Sequence, residues 1–89
     1  TTNEAADIAH QEVLKLKILW ANLLYFYRLT RKLYVINDRF EPVYEKFEDL
    51  FRVFRDFIIN YEYFQPKERQ QFITNFRKAF IETIKDLKV

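Results

Sequence analysis

The chain contains no glycine. Glycine is the residue that enters left-handed backbone conformations at no steric cost, so tight hairpin turns, phosphate-cradling loops and glycine helix caps lose their usual supplier. Such a chain is pushed toward helices joined by short connections that keep φ negative. Its two prolines, Pro42 and Pro66, each stand where a helix can begin. Asn37-Asp38 and Gln65 ahead of them are turn-like or polar. The pattern predicts an all-α fold, an up-down-up three-helix bundle with a long first helix. The helices run over about 3–36, 41–64 and 66–88, within one domain spanning 1–89.

The second helix carries an apolar seam. Phe40, Val43, Phe47, Leu50, Phe54, Phe57, Tyr61 and Phe64 recur at alternating three- and four-residue steps, with Glu41, Glu45, Glu48, Asp49, Arg52 and Asp56 on the other side. In the third helix Phe72, Ile73, Phe76, Ala79, Phe80, Thr83, Ile84 and Leu87 fall together. Thr2 or Asn3 is placed to cap the first helix, and Lys85 and Lys88 complement the dipole at the end of the third.

The first helix is different. The stretch LKILWANLLYFY, Leu16 to Tyr27, is apolar or aromatic except at Lys17 and Asn22. A helix that buries one face needs far fewer apolar positions. At about 100° per residue two stripes separate. The main one holds Ala9, Val13, Leu16, Leu19, Trp20, Leu23, Phe26, Tyr27 and Tyr34, and helices two and three suffice to cover it. The second holds Leu14, Ile18, Ala21 and Tyr25, almost diametrically opposite. The first helix also exceeds its neighbours in length, so residues 3–12 are expected to overhang. Leu14, Ile18, Ala21 and Tyr25 are therefore the candidate partner-binding residues. Their expected occupant is a second copy of the chain, as a homodimer, or a partner helix. Asn22, on the boundary between the stripes, is a candidate for setting register.

Other chemistries find little support. There is no serine and no cysteine, which removes the common nucleophiles, thiolate metal sites and disulfides. His10 is the single histidine and has no second ligand type spaced beside it, so no metal and no cofactor are expected. The carboxylates of the second helix lie on its polar face, not in the desolvated pocket that acid–base work needs. A net charge of +2 is too small for an electrostatically driven nucleic-acid binder, although Tyr25 to Tyr34 does interleave aromatics with Arg28, Arg31 and Lys32. No run reaches the length of a membrane span, and the opening TTNEAADIAH is polar, unlike a secretory leader. A cytoplasmic, non-catalytic interaction module is the reading these features favour.

The main alternative rests on 10 Phe, 6 Tyr and 1 Trp, which suit an apolar-ligand carrier or simple enzyme using an aromatic interior. FYRLTRKL, Phe26 to Leu33, resembles the LYR motif of small mitochondrial helical adaptors, with Phe26 in place of the leading leucine. Leu33, Ile36 and Phe40 with Tyr44, Phe47, Leu50, Phe51 and Phe54 are similar in spacing to the first helices of paired amphipathic helix domains, over less than a third of the chain. Neither assigns a family. The joint lack of glycine, serine, cysteine and methionine leaves a designed origin open.

Overall fold

The computed structural model describes residues 2–87, apart from the side chains of residues 2, 3 and 5. The expected caps Thr2 and Asn3, together with Lys88, lie outside that description. Three α-helices form: α1 over Thr2–Ile36, α2 over Glu41–Ile59 and α3 over Pro66–Lys85. No described residue has positive φ, as a glycine-free chain requires. The three-helix bundle with an extended first helix is the fold.

Helix α1 runs unbroken for 35 residues. Neither glycine nor proline interrupts it, and at 1.5 Å per residue it is about 52 Å long. The whole molecule measures 54 × 19 × 18 Å, so α1 alone sets its length. The overhang is shorter than expected. Glu12 is buried beside the start of α3, and Ile8 and Gln11 border the same helix across a shallow hollow, although Ile8 is largely exposed.

The first reversal uses asparagine where other chains use glycine. Asn37 is extended, with φ −149° and ψ 119°, and its Oδ1 accepts the Arg39 N–H at 3.0 Å. One 3-10 turn, Asp38–Phe40, then drives Phe40 into the core, and Pro42 sits in the first turn of α2.

The second reversal departs from expectation. Helix α2 stops at Ile59 rather than Phe64. Asn60 leaves helical geometry at φ −102°, ψ 14°, and its Nδ2 donates to the Asp56 carbonyl at 2.9 Å. A 3-10 turn over Tyr61–Tyr63 follows, and Phe64 and Gln65 are extended. Gln65 precedes Pro66, which disfavours helical backbone there. The Gln65 N–H donates to Glu68 Oε1 at 3.0 Å, half of a capping box at the start of α3. Helix α3 ends at Lys85.

Helix α1 packs most extensively on α2. The core is Leu16, Leu19 and Leu23 of α1, Val43, Phe47, Phe54 and Phe57 of α2, and Ile73, Phe76 and Phe80 of α3, with Phe40. Aromatic rings fill it against one another. Phe57 stacks on Phe72 with centroids 4.0 Å apart, and Phe26 stacks on Phe47 at 5.7 Å. At the margins Ala9, Val13 and Ala79, read as inward-facing, are exposed. Thr30, not part of any apolar stripe, is fully buried, its hydroxyl donating to the Phe26 and Tyr27 carbonyls at 2.8 and 3.0 Å.

Candidate interaction surface

Helices α2 and α3 both lie on one side of α1, since its buried residues Glu12, Leu16, Leu19, Leu23 and Thr30 share one line along it. That placement turns the second stripe outward. Leu14 is 43% exposed, Ile18 and Tyr25 are 63% exposed, and Ala21 is exposed between them. All four therefore stand in one row, and no described segment covers it. The Tyr25 ring leans edge-on against Phe26, with centroids 5.3 Å apart at 87°, which limits its freedom at the surface. Next to it, Ala21, Leu24, Tyr25, Arg28, Leu29 and Lys32 frame an open hollow of about 440 Å³. The small side chain of Ala21 leaves room there. Asn22 is exposed at the edge of the row and shares a smaller hollow with Ile18 and Arg77.

A second apolar opening, of about 540 Å³, lies between α1 and α2, lined by Val13, Leu16, Trp20, Phe54, Ile58 and Tyr61 with Lys17 and Arg55 also in its wall. Sequence reasoning missed it. Val13, read with the covered stripe, is 41% exposed and lines this opening instead. The expected aromatic interior is packed ring on ring, so the apolar space lies at the surface instead.

Sequence reasoning also missed a polar cluster. Glu12 Oε1 accepts the Tyr61 hydroxyl at 2.6 Å and Arg69 Nε at 2.7 Å. Arg69 Nη1 donates to the Phe64 carbonyl at 2.7 Å, and the guanidinium lies 4.8 Å from the Tyr61 ring centroid. The Glu12 and Arg69 side chains are 8% and 19% exposed. Burial, then the Glu12 hydrogen bond, pushes the Tyr61 phenol up. The hydrogen bond to Glu12 raises Arg69. All three groups satisfy one another, and no buried side-chain polar atom among the described residues lacks a partner. The cluster is a clamp between α1, the 3-10 turn and α3, with its carboxylate already engaged.

His10 is exposed on the outer side of α1, and no group of three metal-binding side chains forms among the described residues. Glu41, Glu45 and Asp49 face solvent on α2. No described helix is long and apolar enough to cross a membrane. Comparison with protein-family models, with curated proteins and with solved structures gives no match.

Proposed function

We propose that the protein is a non-catalytic helical interaction module that self-associates through the outer stripe of α1. The observation that supports it best is the row Leu14, Ile18, Ala21 and Tyr25, exposed at heptad spacing on the longest helix. Single exposed apolar residues are ordinary, but a row at the spacing of a helix-pairing seam is what a second helix covers. Burying it contributes about 25 cal/mol per Å², offset by the cost of association. A lack of catalysis fits the surroundings of the carboxylates, which are solvated, bonded to Arg52 at Glu48, or held by Arg69 and Tyr61 at Glu12. A cytoplasmic setting fits a chain without cysteine.

The test is the pair of substitutions Ile18→Glu and Tyr25→Glu in one chain. Gel filtration should show a parent that elutes as an oligomer and a variant that elutes as a monomer, with far-UV circular dichroism unchanged. Loss of helicity in the variant would place those residues in the internal core and remove the proposal.

A second reading follows from the opening between α1 and α2. Its apolar lining, with Lys17 and Arg55 alongside, suits an elongated apolar ligand with an anionic end. Saturable, stoichiometric uptake of a fluorescent fatty acid, lost in Trp20→Ala, would favour this carrier role. Absence of uptake would remove the carrier reading.

A further inference from the structure

The outer stripe has a direction. Upstream of Leu14 the same four- and three-residue steps continue through Gln11 to Asp7, and downstream of Tyr25 they continue through Arg28 to Lys32. All four of these extensions are exposed. Among the described residues, none of Asp7, Arg28 and Lys32 takes part in an ion pair. The seam is thus acidic at one end and cationic at the other. Both halves carry an exposed side chain and a hollow, but the larger hollow lies in the C-terminal half. The N-terminal half carries the projecting Leu14 and Ile18, and the C-terminal half carries the hollow around Ala21.

We infer that α1 pairs with α1 of a second copy in antiparallel orientation, about a two-fold axis level with Leu19 and Trp20. The inference rests on the outer stripe being a self-association face and adds its partner geometry. In this register Leu14 lies against Tyr25 of the second copy and enters the hollow framed there by Ala21, Leu24 and Arg28. Ile18 lies against Ala21, a large residue against a small one. Gln11 meets Arg28, and Asp7 meets Lys32. Every contact occurs twice, as a two-fold interface requires. A parallel pair would set Asp7 on Asp7, Arg28 on Arg28 and Lys32 on Lys32, and would face each hollow with another hollow. Like charges in contact disfavour that arrangement, and opposite charges favour the antiparallel one.

The absence of native cysteine makes the test direct. Leu14→Cys and Tyr25→Cys chains are prepared separately, their circular dichroism is compared with that of the parent, and they are mixed and oxidised. A disulfide needs Cα atoms within about 7 Å, so the cross-link reports which positions face each other. Intact mass distinguishes the two chains. The expected product is the mixed species joining position 14 of one chain to position 25 of the other, in large excess over either homodimer. An excess of the two homodimers would mean a parallel pair, overturning the inference while leaving self-association intact. A chain that light scattering finds dimeric but that forms none of these cross-links associates through another face, which also overturns it. A chain monomeric at every concentration removes both the inference and the reading beneath it.

Discussion

Arg69 Nε donates to the Glu12 carboxylate at 2.7 Å across 57 residues of chain, and the Tyr61 hydroxyl reaches the same oxygen at 2.6 Å. These contacts draw residues around Glu12 onto the bundle, although α1 extends beyond its neighbours. Ile8 and Gln11 still border α3 across a hollow, while Asp7, outside that hollow, stands exposed. The clamp therefore holds the N-terminal half of the outer stripe in line with the rest of α1.

Removing the carboxylate leaves the half-buried guanidinium of Arg69 without its counter-charge. Glu12→Ala is expected to cost about 3 kcal/mol in urea unfolding, with the denaturant slope unchanged. Glu12→Gln keeps an acceptor for both donors and should cost clearly less. Equal losses for the two variants would mean that the negative charge of Glu12, not its packing or its acceptor oxygen, holds this end.

Alkaline pH should weaken the fold through two phenols. Tyr61 is raised by burial and by its hydrogen bond to Glu12, and Tyr44 is pushed up to about 12, chiefly by the adjacent Tyr27 hydroxyl. A phenol whose folded pKa lies above its unfolded value of about 10 stabilises the fold while protonated. That contribution is complete below the unfolded value and is lost as pH rises through the folded one. Thermal melts should be level near neutrality and fall from about pH 10 upward. Tyr61→Phe should cost about 1 kcal/mol at neutral pH and flatten the alkaline fall, and Tyr44→Phe should flatten it as well. An unchanged slope in both variants would contradict the assignment.

The aromatic core predicts a large, local sensitivity. Phe57 is buried and stacks on Phe72 at 4.0 Å, so Phe57→Ala should cost about 3–5 kcal/mol. Ile59→Ala, on the exposed side of the same helix, should fall within about 0.5 kcal/mol of the parent. Comparable losses at the two positions, measured by urea unfolding, would contradict the packing described.

Charge reversal checks the antiparallel register independently. Asp7→Lys should weaken association by placing it against Lys32 of the second copy, and Lys32→Asp should do the same against Asp7. The double variant Asp7→Lys, Lys32→Asp should recover much of the loss, most visibly at low salt. Additive weakening in the double variant would rule out that pairing.

The helices and their seams were readable because periodic burial follows from residue spacing alone. Phe47, Phe54 and Phe57 face inward for the same reason that they recur at three- and four-residue steps. Leu14, Ile18, Ala21 and Tyr25 were readable as a separate row by the same geometry, and the structure places all four on one exposed face. Glu12 and Thr30 were not recognised as buried, although both lie on the line of Leu16, Leu19 and Leu23. Polarity hid them, since Thr30 is satisfied by its own helix and Glu12 by groups far away in sequence. Those groups depend on where α2 ends. Its apolar seam runs on to Phe64, but the Asn60 side chain bonds back to Asp56 and turns the chain early. A periodic pattern cannot register that local competition.

The most direct test of self-association through α1 is solution molar mass by light scattering over a concentration series of the parent chain. The proposed self-association predicts a species at twice the 11.1 kDa chain mass, giving way to the monomer when Ile18 and Tyr25 are both changed to Glu. A parent that stays at the single-chain mass at the highest concentration would contradict it.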